Sequence, residues 1–439
     1  MSSKIRSFWL ALWAGFLRLF SPETPTRVTP TTISQKEKPM DRNDAFVFIQ
    51  SLRALGNRDS YKILVDAAQS HYQPMSTQDW TNLLHTVDAA VRRGSPGHDF
   101  GHTRRDFLDA LAIATDKKVG EYLPAEVLAG LIAGMLHDLG VGYVARYKDA
   151  ETLLGHAEEG AWRFFTLTER LLEENLRFLI AYAIASHTHY LKALACKDGS
   201  VREPWYYELF EAEGHKYGWA VLACRFADRL DTNGATLMLR HFLANADSVE
   251  GGQDLSGDTF YNINHASIRI MVTPKKAMIE MPDGKKAPTT LQHIANFAGS
   301  NFGNSPYSRD DHLFPTMTRL MGYKVSQTMT IALTHPVTFW EKASIKLGLD
   351  FPIQDLHDLL LRSSRSPRFD EAWAVLETAF SELSLEELAI WSQIISYLND
   401  AYDKTLEVLK STIIDNESEY TKPVAPLLDA IIAEISEMS

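Results

Sequence analysis

The sequence predicts a mostly α-helical protein with a small β-hairpin insertion and a helical C-terminal region. Apolar residues recur at helical spacing through most of residues 41–245 and again from residue 289 onward. Helix punctuation agrees with that period, since Pro124 opens an apolar run that Gly140 closes. Only residues 264–281 show the partial alternation of strands, with Thr273, Pro274, Lys275 and Lys276 between the two arms as a turn.

Residues 1–20 read as an apolar, anchor-like helix. The segment KIRSFWLALWAGFLRLF, residues 4–20, has a basic start and an apolar run interrupted by Arg18. It falls short of the ~18 to 20 residues that span a bilayer. Trp9, Trp13, Phe16 and Phe20 suit the headgroup boundary, so peripheral membrane contact through residues 4–20 is expected. The alternative is a helix docked on the same protein. Residues 21–40 hold four Pro and five Thr with no apolar period, the composition of a linker. A helical domain follows over 41–245, then a loop and the hairpin over 246–288. A helical C-terminal region of unassigned role fills 289–439, with amphipathic stretches at 369–382 and 385–413.

Composition limits the function. At 439 residues and 45% apolar content the chain has a sizeable core, while a net charge of −12 argues against a duplex nucleic acid partner, which needs clustered Lys and Arg. Cys196 and Cys224 are too few for a disulfide framework or a thiolate metal site, which fits a reducing, cytoplasmic compartment.

Chemistry gathers at helix ends. Residues 127–136, VLAGLIAGML, carry no charge, and His137 and Asp138 follow at once. A carboxylate against apolar surroundings costs several kcal/mol unless a donor, a base or a metal partners it. A second apolar run, 175–187, ends in His187 with His189 just beyond, and a third, 219–230, carries Asp228 and Asp231. His98 and His102 stand four apart and would share one helical face, and His156 lies between the first two runs. Adjacent His137 and Asp138 point about 100° apart, which suits a cation wedged between several helices. Imidazole and carboxylate without thiolate favour Mn²⁺, Fe²⁺, Zn²⁺, Co²⁺ or Ni²⁺, and permit Mg²⁺.

The order His102, His137-Asp138, Asp228 resembles the H…HD…D signature of the HD-domain metal-dependent phosphohydrolases, an all-helical superfamily. The flanks GHDFGH, LHDLG, SHTH and ADRLDTNG resemble its successive motifs over roughly residues 80–245. The resemblance implies that His102, His137, Asp138 and Asp228 bind a first metal ion, and that Asp138 bridges to a second held by His156 and His187, with His189 beside them. It makes His98 a candidate for protonating the leaving oxygen, although Asp99 replaces the Asn of the branches that use it so. A GYP tripeptide after SHTH is absent.

The implied activity is cleavage of a phosphoester or phosphoanhydride bond, in a small phosphorylated substrate such as a nucleotide, by water activated on one or two divalent ions. Asp138, His98 and Arg229 are then the catalytic candidates. Arg104, Arg105, His189 and Asp231 are candidates for holding the substrate, with Lys192 and Lys197 as further nearby cations. Asp231 is expected to matter less than Asp228. The loop LRSSRSPRF, residues 361–369, offers three Arg that could grip phosphate. Two other classes compete: a nucleotide-sensing or scaffold HD domain without turnover, and a di-iron oxygenase of the same superfamily.

Overall fold

A computed structural model of the chain describes residues 42–55, 58–144, 155–187, 194–195, 201–202, 217–250, 278–280, 286–288, 314–333 and 351–436. These residues are mostly helical, as expected. The first half contributes α1 (Arg42–Ala54), α2 (Arg58–Ser70), α3 (Thr77–Val91), α4 (Phe100–Ala114), α5 (Pro124–Leu136), α6 (Val141–Val144), α7 (His156–Leu167), α8 (Glu174–Ser186), α9 (Trp219–Asp231) and α10 (Ala235–Glu250). The second contributes α11 (Pro315–Leu333), α12 (Ile353–Ser363), α13 (Phe369–Ser381), α14 (Leu385–Asp415) and α15 (Ala425–Ser436).

The described β-structure is two short antiparallel pairings, Leu194–Ala195 with Val201–Arg202 and Met278–Glu280 with Lys286–Pro288. The hairpin expected over 264–281 is not seen. Most of that span lies outside the described residues, and its last residues pair forward onto 286–288 instead of back across Thr273 to Lys276. The intervening sequence MPDGK, with its Pro-Asp-Gly, is the stronger turn sequence. The anchor-like segment and linker of residues 1–40 also lie outside the described residues. No helix among the described residues is long and apolar enough to cross a membrane.

α5 is the axis of the bundle. A helix that is apolar on every side has to be buried, and every residue of α5 from Ala125 to Leu136 is. Helices α2, α4, α8 and α9 pack around it. Gly130 sets how near α9 comes, because a Cβ there would lie 2.8 Å from the Cβ of Ala223 and 3.0 Å from Nε1 of Trp219. Glu126, in the first turn of α5, accepts hydrogen bonds from the Tyr61 hydroxyl at 2.7 Å and from the N–H of Gly218, the residue just before α9. α5 and α9 therefore start at the same level and run in parallel. Their C-terminal ends, which carry His137-Asp138 and Asp228, arrive together.

The second half packs directly on the first: α14, α11, α12 and α15 on α4, and α13 on α10. Lys324 of α11 donates to both oxygens of the buried Asp109 of α4, at 2.9 and 2.7 Å. Thr328 and Gln327 accept from the N–H groups of Gly234 and Ala235, at 2.6 and 2.8 Å, and so hold the turn between α9 and α10.

Candidate metal centre

Three helix ends and two helix starts supply the cluster. The Asp99 side chain accepts from the Gly101 N–H at 3.0 Å and caps α4, so His102 falls in the first turn of that helix. A capping residue takes extended backbone, which breaks the helical register. His98 consequently stands outside the helix and does not share its face. Its ring meets that of His102 edge-on, with centroids 6.0 Å apart. Burial, reinforced by Arg240 and neighbouring histidines, pushes His98 down to about 3, so it is neutral near pH 7. His137 and His187 are the C-terminal caps of α5 and α8, and His156 opens α7. Gly140 permits that opening, since a Cβ there would lie 2.0 Å from the carbonyl oxygen of His156.

The carboxylate of Asp138 lies between two pairs of imidazoles. Its Oδ2 is 3.1 Å from Nε2 of His102 and 3.4 Å from Nε2 of His137. Its Oδ1 is 3.7 Å from Nε2 of both His156 and His187, whose Nε2 atoms are 3.2 Å apart. Oδ1 of Asp228 completes the first group, 3.8 Å from Nε2 of His102 and 3.9 Å from Nε2 of His137. Ligands ~2.1 Å from a common ion stand about 3.0 to 3.4 Å apart when adjacent. Several of these separations meet that spacing, and the rest exceed it by a few tenths of an ångström.

The donor chemistry fits a cation. His102 Nδ1 faces Asp231 Oδ2 at 2.8 Å, His137 Nδ1 faces the carbonyl of Gly134 at 3.0 Å, and His187 Nδ1 faces the carbonyl of Ile184 at 2.6 Å. Each Nδ1 then carries the proton and each Nε2 turns a lone pair towards the cluster, the arrangement of metal-binding histidines. Nε2 of His102 and of His137 are buried without a hydrogen-bond partner. Lone pairs facing carboxylate oxygens repel unless a positive charge sits between them. Without an ion a proton takes that place: burial would lower the His137 imidazole, but Asp138, Asp106 and Asp228 outweigh it and hold it up to about 10, so its Nε2 is protonated near neutral pH until a cation displaces the proton. Burial would raise Asp138, yet His137 and the donors His102 and His187 keep it well below the usual carboxylate range.

The cluster opens on one side. Asp228 is 25% exposed and His156 35%, whereas His102, His137 and Asp138 are buried, so the cluster meets solvent at Asp228 and His156.

Other expected site residues lie elsewhere. Asp231 is fully buried and accepts from Arg105 as well as facing His102, so it supports the cluster from behind. Arg105 donates to Asp231 at 2.8 and 3.1 Å and to the carbonyl of Ser363 at 2.9 Å. Arg104 lies over the Phe100 ring with Asp88 and Glu434 nearby. Both guanidinium groups are buried, away from the open side. Arg229 is partly exposed next to Asp228, and His189, Lys192 and Lys197 lie outside the described residues. In the 361–369 loop two serines tie the chain to the segment before α4: Ser364 bonds Asp99, and Ser366 donates to the Gly94 carbonyl at 2.8 Å. Arg362 instead pairs with Asp403 and Arg368 with Glu371.

Two neighbours had not been singled out. Arg240 donates to the Gly97 carbonyl at 2.8 Å and stands 3.4 Å from Asp231 and 3.7 Å from Asp228. Nothing in its local sequence marks it. Asp106 follows His102 at i,i+4, a signal that was available. In comparisons with protein-family models, curated proteins and solved structures, nothing matches the chain.

Proposed function

We propose that the chain is an HD-type metal-dependent phosphohydrolase with two ion positions that share Asp138. One observation carries this reading: the two oxygens of a single buried carboxylate each face a separate pair of imidazole nitrogens. The residues that would hold the first ion are His102, His137, Asp138 and Asp228, and those for the second are Asp138, His156 and His187. Divalent ions there would acidify a water for attack on phosphorus and stabilise charge on the phosphoryl oxygens.

The chain's own residues do the rest. Asp138 fixes the spacing of the two positions. Asp231, held by Arg105, orients His102 through Nδ1, while backbone carbonyls orient His137 and His187. The neutral, half-buried His98 contributes a hydrogen bond to the leaving oxygen instead of a stored proton. Arg229, partly exposed and next to Asp228 in sequence, is the cation this reading assigns to phosphoryl charge, a role cations commonly have in phosphoryl transfer. A small phosphorylated molecule of the nucleotide class is the expected substrate, its negative charge met by the bound cations and not by the acidic chain. Residues 4–20 are read as a peripheral membrane contact.

The test is metal analysis of the purified chain followed by a hydrolysis panel of nucleoside mono-, di- and triphosphates and cyclic nucleotides. Two bound divalent ions and turnover of at least one phosphorylated compound are expected. Bound metal without turnover of any panel member would favour a sensor. Aerobically retained iron with a mixed-valence near-infrared band would favour the oxygenase.

A further inference from the structure

The residue that the H…HD…D pattern leaves over is Asp106. It is fully buried, and neither carboxylate oxygen has a hydrogen-bond partner. Leaving a carboxylate bare in this way costs several kcal/mol unless a cation reaches it. The other buried carboxylates of the region are provided for: Lys324 bonds both oxygens of Asp109, Arg105 bonds both oxygens of Asp231, and Asp99 caps α4. No Lys or Arg pairs with Asp106 among the described ion pairs. Its Oδ2 instead lies 3.2 Å from Nε2 of His102, one helical turn earlier on α4, and 3.5 Å from Nδ1 of His137. One ligand atom from each of His102, Asp106, His137 and Asp228 fits within 4.8 Å of all the others.

We propose that Asp106 is a fifth protein ligand of the first ion, and that this makes the two positions unequal. The inference rests on the two-ion reading above. With Asp106 the first position has two imidazoles and three carboxylates (Asp106, Asp138 and Asp228). The second has two imidazoles and one shared carboxylate among the described residues. Three negative charges in a buried, oxygen-rich site favour a hard ion such as Mn²⁺ and bind it tightly. The first position therefore fills first and holds its ion as part of the structure. The second, next to the partly exposed His156, binds more weakly and keeps open positions for water and substrate, as catalytic sites do. A His-Asp pair at i,i+4 on α4 thus does for the first ion what the separate segments carrying His156 and His187 do for the second.

The experiment is calorimetric titration of Mn²⁺ into the full chain stripped with a chelator, together with a structure determined after Mn²⁺ soaking. The wild type should show two steps of distinct affinity. The Asp106→Asn variant, isosteric but uncharged, should lose 100-fold or more at the tighter step, beyond the 10- to 100-fold typical of residues that only orient a ligand. His156→Ala should remove the weaker step and leave the tighter one. Circular dichroism confirms that each variant is folded, and Asp106→Glu tests whether a carboxylate of another length restores part of the tight step. In the soaked crystal an Asp106 oxygen should lie about 2.2 Å from the buried ion. A wild type with two steps, an Asp106→Asn variant with an unchanged tight step, and an ion beyond bonding distance of Asp106 would overturn the proposal while leaving the metal centre intact. No Mn²⁺ binding by the wild type would remove the two-ion reading and Asp106's role with it.

Discussion

In the two-ion reading Asp138 carries more than any other side chain, because both proposed ion positions share it. Asp138→Ala should lose metal at both positions and lower hydrolysis by at least about 10³-fold, given that metal chemistry supplies the nucleophile. Helical circular dichroism should be retained, and full activity in this variant would end the mechanism. Asp231, expected from the sequence to matter less than Asp228, is placed by its contacts rather than by its spacing. Sequence spacing on a helix cannot show that Asp231 faces Nδ1 of His102 at 2.8 Å from the opposite side of the ring. Asp231→Asn keeps every metal ligand but removes the charged acceptor, so metal affinity should fall about 10- to 100-fold, read by calorimetry. An affinity within twofold of wild type would mean that Asp231 does not orient His102. His137, Asp138, His187 and Asp228 were legible because they lie at the ends of apolar runs, whereas His102 and His156 lie in the first turns of helices and were marked by spacing and by the resemblance to the H…HD…D pattern. The supporting Arg105 and Arg240 contacts were not, since they join residues 126 and 143 positions apart.

The helices explain why those ligands meet. Mostly apolar runs marked α8 and α9 to within a residue or so and the start of α5, whose end at Leu136 comes before the Gly140 expected to close it. The start of α4 was less legible, because His98 and His102 suggest a helical pair and only the Asp99 cap decides otherwise. The parallel alignment of α5 and α9 depends on Glu126, a buried carboxyl whose Oε2 has no hydrogen-bond partner. Burial pushes Glu126 up to about 7, against the opposing hydrogen bonds from Tyr61 and the first N–H groups of α9. The folded chain thus holds a proton there that the unfolded chain releases near pH 4.5. This contribution to stability is fully present below pH 4.5 and is lost as pH rises to about 7, by about 3 kcal/mol in total. Glu126→Gln should abolish that fall. Denaturant unfolding of both chains from pH 4.5 to 8 measures it, and parallel curves would refute the assignment.

At the scale of the whole molecule, the first 40 residues and the second half call for different tests. Deleting residues 1–39 should leave turnover unchanged and shift the chain from the membrane fraction to the soluble one, as fractionation would show. Unchanged partitioning would argue for docking on the protein instead. The second half showed helices in its sequence and, beyond the three Arg of residues 361–369, no chemistry, because its described links to the centre are contacts and not motifs. Lys324 reaches Asp109 across 215 positions, Ser363 receives Arg105 across 258, and Ser364 bonds Asp99 across 265. These contacts converge on α4, the helix that carries His102 and Asp106. Lys324→Ala would leave Asp109 buried and unpaired, at a cost of about 3 to 5 kcal/mol, whereas replacing both partners with apolar residues of similar size, as in Lys324→Met with Asp109→Leu, should recover most of it. Thermal unfolding of the two variants with and without bound Mn²⁺ then tests whether the second half holds the metal centre. If it does, Lys324→Ala weakens Mn²⁺ binding along with stability, and the apolar pair restores both. Recovery of stability without recovery of Mn²⁺ affinity would show that the charge of Asp109, and not the packing of α11 on α4, is what the centre depends on.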